Sequence, residues 1–255
     1  MAQPKYRYRA SAFYGYFPPG VKWLLIVNTL VYVLFYLGGR SVQSHMLTLV
    51  ALSAEAAVHN LFVWQIFTYM FLHGGLMHLV FNMLALWFFG LQLEQDWGTR
   101  RFLKYYFYCG MAAGACVLAF NVAAAALTGN PMWWNVPTVG ASGAIFGVLV
   151  AFGVLYPDQT VLMLPFFFPI KAKYMVMIYA GIELLLIMGP STGVSNIAHL
   201  GGMAFGYLYL KRRLPVVRLP GLDLQGAYNR WRMARAKKKF QVYLRKRDGR
   251  GPWVN

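Results

Sequence analysis

A few polar side chains interrupt the long apolar stretches of this sequence, and their types point to nucleophilic chemistry. Ser142 stands between small residues, His199 lies in a later apolar run, and His78 and Asn82 are four residues apart, on one face of a helix. Burying such groups among apolar residues is costly, so each is a candidate for a site. A hydroxyl is a weak nucleophile until a base such as imidazole takes its proton. Ser142 and His199 are therefore candidates for a nucleophile and its base.

The elements that carry these residues are apolar runs of helical length. Of the 255 residues, 59% are hydrophobic and only 12% are charged, whereas about a quarter of a soluble domain is charged. This composition disfavours a soluble enzyme. Six runs are candidate membrane-spanning helices, although several are shorter than the usual 20 or so residues: 21–37, 77–93, 102–127, 142–156, 174–188 and 194–210. We therefore predict an all-α, polytopic membrane protein, with residues 61–72 forming an interfacial or re-entrant segment.

Basic residues are distributed unevenly along the chain. There are 24 Lys and Arg against seven Asp and Glu, a net charge of +17, and residues 211–255 hold fourteen of the basic residues and two of the acids. Before residue 211, basic residues occupy the N-terminal segment and every second connection, whereas the other connections contain only Arg40. By the positive-inside rule, this pattern predicts an even number of spans with both termini in the cytoplasm.

The four polar residues are predicted to lie at similar depths in the membrane. Counted from the predicted cytoplasmic ends, Ser142, His199, His78 and Asn82 lie within about one helical turn of one another. The span 142–156 makes only about 22 Å of helix against a hydrocarbon core of about 30 Å, so Ser142 begins a helix below the outer surface. The free N–H groups and the dipole of that helix end favour a developing oxyanion. We expect no buried Asp or Glu at this level, and therefore a Ser–His dyad rather than a triad.

Each residue taken singly also has a structural interpretation. A serine among glycine and alanine more often packs membrane helices together, and an isolated intramembrane histidine more often bonds to a neighbouring helix. The common depth of Ser142 and His199 favours a site over either of these interpretations.

Three segments together resemble the rhomboid family of intramembrane serine proteases. They are 71–82 (FLHGGLMHLVFN), 140–143 (GASG) and 198–206 (AHLGGMAFG). Residues 93–102 (LEQDWGTRRF) also look like the stretch that joins the second and third helices of the family. The similarity extends over about residues 60–210. It implies a rhomboid-like bundle of six transmembrane helices, of the basic six-helix bacterial form.

The resemblance implies a role for each matching residue. Ser142 would attack the scissile carbonyl, and His199 would act first as base and then as acid. His78, Asn82 and the backbone N–H of Ser142 would form an oxyanion hole. Gly140 matches a position where the backbone of the family closely approaches the substrate.

Supporting roles follow from the same resemblance. Gly202 and Gly206 match the pair of small residues that brings the sixth helix of rhomboids against the fourth. Phe146 stands where several rhomboids have a tyrosine that stacks on the catalytic histidine, and a phenyl ring can stack without the hydroxyl. His73 matches a position that the family commonly fills with histidine, and we give it only a supporting role.

The function predicted from these features is that of an intramembrane serine endopeptidase. It would cleave transmembrane segments of membrane proteins near the outer membrane surface, with neither a metal nor another cofactor. A zinc protease would need His-Glu-x-x-His, which is absent, and Cys109 and Cys116 have no second ligand at metal-binding spacing. An aspartyl protease needs two carboxylates in one site, and Glu183 is the only acid deep within a span. We expect Glu183 to pair within the bundle or face water, without a catalytic role.

Two alternatives belong to other functional classes. One is a non-catalytic rhomboid-like protein that binds transmembrane clients for quality control, although such proteins typically lack the serine or the histidine. The other is a transporter, which the scarcity of ionisable groups and the lack of paired broken helices disfavour.

The chain divides into three predicted parts. Residues 1–20 form a cytoplasmic N-terminal segment, 21–210 the transmembrane protease domain and 211–255 a basic cytoplasmic tail. Residues 230–240 mix basic and apolar residues in a helical pattern, which predicts binding to anionic lipid. No nucleic-acid-binding module is recognisable, so we expect no nucleic-acid partner. The predicted location is the bacterial inner (plasma) membrane, with transmembrane proteins as substrates.

Overall fold

The computed structural model describes residues 17–166, 168–187 and 194–212, together with Arg235. The backbone divides into a unit Met1–Leu214 and a unit Pro215–Asn255, and the helices below belong to the first. The longer helices are α1 (Pro19–Leu37), α2 (Gly39–Val50), α3 (Leu76–Trp97), α4 (Thr99–Thr128), α5 (Ser142–Leu155), α6 (Ala172–Ile187) and α7 (Val194–Arg212). The predicted all-α fold class is confirmed.

Each of the six segments predicted to span the membrane overlaps one of these helices over most of its length. The observed helices begin or end a few residues from the predicted limits, and residue 188 lies outside the described residues. Within the described residues, three helices, α1, α3 and α4, are by length and composition able to cross a membrane. Many large apolar side chains of α1 and α6 are exposed, which suits contact with lipid. The chain is an integral, multi-pass membrane protein, and the count of six crossings stays a prediction.

Smaller elements fill the connections. Between α1 and α3 the chain forms α2, a π-helical turn at Glu55–His59 and two short helices, Gln65–Thr68 and Tyr69–Phe71. A four-residue helix, Met132–Asn135, precedes α5. Between α5 and α6, strands β1 (Thr160–Met163) and β2 (Phe168–Lys171) form an antiparallel hairpin in which Val161 pairs with Ile170. Neither α2 nor the hairpin was predicted from the sequence.

Helix α5 is the centre of the bundle. It is apolar on every side, and ten of its 14 residues are buried, so it is enclosed by other helices rather than facing lipid. Small residues permit the closest approach, which is between α5 and α7. A Cβ atom on Gly202 would overlap the carbonyl oxygen of Gly143, and one on Gly206 would come within 3.1 Å of the Gly147 Cα. These contacts hold α7 at a fixed height along α5.

A single carboxylate joins the start of α1 to the end of α3. Glu94 Oε1 accepts a hydrogen bond from the backbone N–H of Gly20 at 2.7 Å, and Oε2 accepts one from that of Val21 at 2.6 Å. The hydroxyl of Thr99 donates to Oε1 at 2.7 Å. A negative charge at a helix N-terminus satisfies N–H groups that have no partner within the helix. Glu94 therefore fixes the position at which α1 begins.

Candidate active site

Ser142 is the first residue of α5, and the chain reaches it through an unusual glycine. Gly140 has φ +123°, a conformation that residues with a side chain rarely adopt. Its backbone N–H donates to the carbonyl of Tyr69 at 3.0 Å, and a Cβ atom there would lie 2.8 Å from ring atoms of His78. Glycine at this position therefore lets the backbone pass beside His78 and present Ser142 at the helix N-terminus.

His199 on α7 contacts the hydroxyl of Ser142 directly. The distance between His199 Nε2 and Ser142 Oγ is 2.7 Å, which is a hydrogen bond. When Ser142 donates to Nε2, the proton of the neutral imidazole must be on Nδ1. The close packing of α7 on α5 at Gly202 brings the two side chains together from residues 57 positions apart in the chain.

The ring of Phe146 lies against the imidazole. Phe146 is one turn after Ser142 on α5, and its ring is stacked on that of His199 with the centroids 4.3 Å apart and the planes 15° apart. The other side of Phe146 meets the ring of Tyr179 edge to face, at 6.0 Å. Packing on the phenyl ring thus defines the plane in which the imidazole lies.

The expectation that no acid is buried at the level of Ser142 and His199 is wrong. Glu183 of α6 is buried, and its Oε1 lies 2.9 Å from His199 Nδ1. The signal was present in the sequence. Counted inward from residue 174, the cytoplasmic end of its predicted span, Glu183 lies about 15 Å deep. The same count from residue 210 gives about 18 Å for His199, so the two residues are within one helical turn in depth. The same depth count, applied to Glu183, would have placed it beside the histidine.

Helix α3 carries polar side chains on one face, and His78 among them reaches the start of α5. His78 is partly buried, and His73 in the preceding loop is buried with its ring edge to face against that of His78, at 5.1 Å. Asn82, one turn after His78, is buried, and among the described residues its Nδ2 has no hydrogen-bond partner. A buried amide donor without a partner is uncommon and leaves an N–H group free to bind a ligand or water. The contact of Gly140 with His78 brings this end of α3 to the start of α5.

Metal ligation has little basis in the described part of the chain, which contains no group of three or more His, Cys, Asp or Glu able to hold an ion. Cys109 is buried, Cys116 is exposed, and both are free thiols. The chemistry available at the start of α5 is therefore that of a hydroxyl, an imidazole, a carboxylate and nearby N–H donors.

Several known proteins are similar to this chain in amino-acid sequence. The sequence model of the family described as Rhomboid domain matches residues 60–215. The chain is 32% identical over 171 residues to rhomboid protease AarA of Providencia stuartii, covering 61% of this chain and 60% of that protein. It is 27% identical over 215 residues to rhomboid protease GluP of Bacillus subtilis, covering 81% of this chain and 37% of that protein.

A plant protein is also similar to this chain. The chain is 35% identical over 159 residues to RHOMBOID-like protein 1 of Arabidopsis thaliana, covering 62% of this chain and 36% of that protein. The chain thus spans between 36% and 60% of the length of these three relatives. Because the match over residues 60–215 covers more than half of the chain and includes both Ser142 and His199, this protein belongs to the rhomboid family.

Proposed function

We propose that this protein is an intramembrane serine endopeptidase that cleaves transmembrane segments of other membrane proteins, with Ser142 as nucleophile and His199 as base. The observation that carries the proposal is the 2.7 Å hydrogen bond between Ser142 Oγ and His199 Nε2 at the N-terminus of α5. Membership of a family that includes proteases in Providencia stuartii and Bacillus subtilis supports it.

The first chemical step is attack on the scissile carbonyl. Ser142 Oγ forms a bond to the carbonyl carbon while its proton passes to His199 Nε2, which produces an imidazolium and a tetrahedral oxyanion. The short contact between these two atoms means that the proton travels without rearrangement of either helix. Stacking on Phe146 keeps the imidazole in position during the transfer.

Three groups would stabilise the oxyanion: the backbone N–H of Ser142, the amide of Asn82 and the ring of His78. The backbone N–H of Ser142 is one of the unpaired groups at a helix N-terminus. The amide of Asn82 is buried without a partner, and His78 lies against Gly140. Such fixed donors act where the negative charge develops and need no reorganisation during the reaction.

Collapse of the tetrahedral intermediate completes the cycle. The C–N bond breaks, and His199 Nε2 gives its proton to the departing amine, leaving an acyl ester on Ser142. Water then attacks this ester with His199 again as base. As the ester bond breaks, His199 returns the proton to Ser142 Oγ, which frees the carboxylic acid product and regenerates the serine hydroxyl. The side chains of Ser142 and His199 are partly exposed, so water can reach them.

The substrate must present an extended backbone at Ser142. Amide groups within a transmembrane helix are already hydrogen-bonded, so a substrate helix has to unwind locally before its carbonyl can be attacked. Together with the short α5, the distribution of basic residues supports an orientation with both termini in the cytoplasm and Ser142 toward the outer leaflet. Membership of the rhomboid family also supports small residues at the cleaved bond.

Cleavage of a model substrate by the purified full-length protein tests the proposal. A single-pass transmembrane protein is incubated with wild-type protein in liposomes, and with the Ser142→Ala and His199→Ala variants. We expect cleavage by wild type alone, and a serine-directed fluorophosphonate should label wild type but not Ser142→Ala. Ser41 and His45 on α2 offer matched controls, since Ser41→Ala and His45→Ala change the same residue types on an exposed helix.

The outcomes separate the two predicted functions. Cleavage that persists in Ser142→Ala or His199→Ala would contradict the dyad. A wild-type protein that binds the substrate but neither cleaves it nor reacts with the fluorophosphonate would be a non-catalytic binder of transmembrane clients.

The two terminal parts of the chain are proposed to be cytoplasmic because of their positive charge. The proposed N-terminal segment 1–20 and the proposed tail 211–255 lie almost wholly outside the described residues. Fourteen basic residues in the tail support an electrostatic attachment to anionic lipid at the cytoplasmic face of an inner membrane.

A further inference from the structure

Glu183 is isolated in the sequence and buried in the structure. No other acid occurs between Asp158 and Asp223, and the three residues directly after it on α6, Leu184 to Leu186, are exposed. An ionisable residue within a membrane helix is costly to insert, and such residues almost always face the bundle interior, where they find partners. The partners of Glu183 therefore indicate why it is tolerated.

Both oxygens of this carboxylate have a polar partner on α7. Oε1 lies 2.9 Å from Nδ1 of His199, and Oε2 accepts a hydrogen bond from the side-chain amide of Asn196 at 2.6 Å. Asn196 is nearly one turn before His199, so the two side chains are close enough for one carboxylate to contact both. Asn196 thereby holds Glu183 in the orientation that directs Oε1 toward the imidazole.

The two nitrogens of His199 therefore meet two different groups. Ser142 is hydrogen-bonded to Nε2, which puts the proton of the neutral ring on Nδ1, the atom nearest Glu183. In the resting structure the Nδ1–H bond is not aligned with Oε1 well enough for a hydrogen bond, although the two atoms are within contact distance. Catalytic hydrogen bonds are often poorly aligned before substrate binds. Transfer of the Ser142 proton makes the ring cationic and strengthens its attraction to the carboxylate.

We propose that Glu183 is a positioning residue that completes a Ser142–His199–Glu183 triad, with Asn196 orienting its carboxylate. Glu183 selects the tautomer in which Nε2 is free to accept the serine proton, and it stabilises the imidazolium that forms. Its effect is transmitted through His199 and involves no contact with substrate. This inference rests on the proposed serine protease activity.

Isosteric substitution of the carboxylate tests the role. In Glu183→Gln the side chain keeps its size and an oxygen for Asn196 but loses the charge. We expect kcat to fall about 10- to 100-fold with KM changed less than about twofold, a part of the 10²–10⁴-fold that a general base supplies. The rate constant for fluorophosphonate labelling of Ser142 should fall by a similar factor, because labelling needs an activated serine and no bound transmembrane substrate. Glu183→Asp should recover part of both rates.

A second Glu–His pair in the chain provides the matched control. Glu55 Oε2 lies 2.8 Å from His59 Nδ1 on an exposed helical turn, so Glu55→Gln removes the same kind of contact away from Ser142. Its kcat and labelling rate should equal those of wild type. Asn196→Ala is a second test that leaves Glu183 intact, and we expect a fall in kcat of a few fold.

The results distinguish failure of this inference from failure of the proposed function. A wild-type protein that neither cleaves nor labels would overturn both. Active wild type, together with a folded Glu183→Gln variant of unchanged kcat and labelling rate, would overturn the triad alone. If Glu183→Gln lost activity only in proportion to lost folded protein, or if KM rather than kcat changed, Glu183 would have a structural role.

Discussion

Two buried glutamates occupy the same helical bundle, and their partners give them different roles. Glu94 is 2% exposed and Glu183 is 7% exposed, so burial alone does not distinguish them. Glu94 accepts hydrogen bonds from two backbone N–H groups and a hydroxyl, none of which gains or loses a proton near neutral pH. Glu183 contacts His199, the group that we propose to be protonated in every catalytic cycle. The chemistry of the partner, rather than the depth of the acid, separates a structural carboxylate from the one that we propose positions the base.

The energetic consequences differ in the same way. The hydrogen bonds of Glu94 exist in the resting protein and contribute fully to folding, and those to a charged acceptor are worth about 1.5–3 kcal/mol each. The contact of Glu183 with His199 is poorly aligned at rest, and its value rises when the imidazole becomes charged. Substitution of Glu94 should therefore change the free energy of unfolding, and substitution of Glu183 should change the reaction rate.

Removal of Glu94 is expected to give the largest effect. Glu94→Ala leaves the N–H groups of Gly20 and Val21 buried without acceptors, so the free energy of unfolding should fall by about 3–5 kcal/mol. Reversible unfolding in mixed micelles, followed by circular dichroism, measures this change. Glu94→Gln keeps one acceptor oxygen and should show a smaller loss. Loss of cleavage per folded molecule in Glu94→Ala, with stability unchanged, would remove the distinction between the two glutamates.

The amide of Asn82 provides the opposite case, a buried group with no partner at rest. Asn82→Ala should lower kcat about 10²-fold, because an oxyanion donor is lost, while leaving the free energy of unfolding unchanged or slightly higher. Substrate cleavage and unfolding are measured on the same preparations. Asn121 on α4 is the matched control, since it is also a buried amide without a partner among the described residues. Asn121→Ala should retain the wild-type kcat, and an equal fall in both variants would contradict a specific role for Asn82.

The sequence predicted the long apolar helices better than it predicted the elements between them. Hydrophobic runs located α1 and α3 through α7, because a membrane helix must be apolar over most of its length. Helix α2 was missed, since its mixture of polar and apolar residues lacks such a run and Gly38 and Gly39 suggest a break. The β1–β2 hairpin was missed because four-residue strands produce too little alternation to be recognised.

The site itself was only partly readable from the sequence. Ser142 and His199 were found from residue type, depth and family resemblance, and the structure brings them within 2.7 Å. Glu183 shares their depth, but depth does not specify rotation about the helix axis. Whether an acid in an apolar helix faces lipid, water or a histidine is decided by the packing of α6 against α7, which a single sequence does not contain.

Replacement of Phe146 should have the smallest effect. It tests whether the positive charge formed on His199 distinguishes the surroundings of Glu183 from those of Glu94. The face of an aromatic ring attracts a cation, and Phe146 is stacked on the imidazole of His199 at 4.3 Å, so it should favour the imidazolium formed during the reaction. Phe146→Leu keeps an apolar side chain but loses the ring, and we expect kcat to fall about fivefold, or about 1 kcal/mol, with KM unchanged. Phe146→Tyr retains the stacked face and should remain close to wild type when both variants are assayed side by side. A fall in stability without a fall in kcat would mean that Phe146 has only a structural role, as Glu94 does, and that the charge formed on His199 is stabilised by Glu183 without help from the ring.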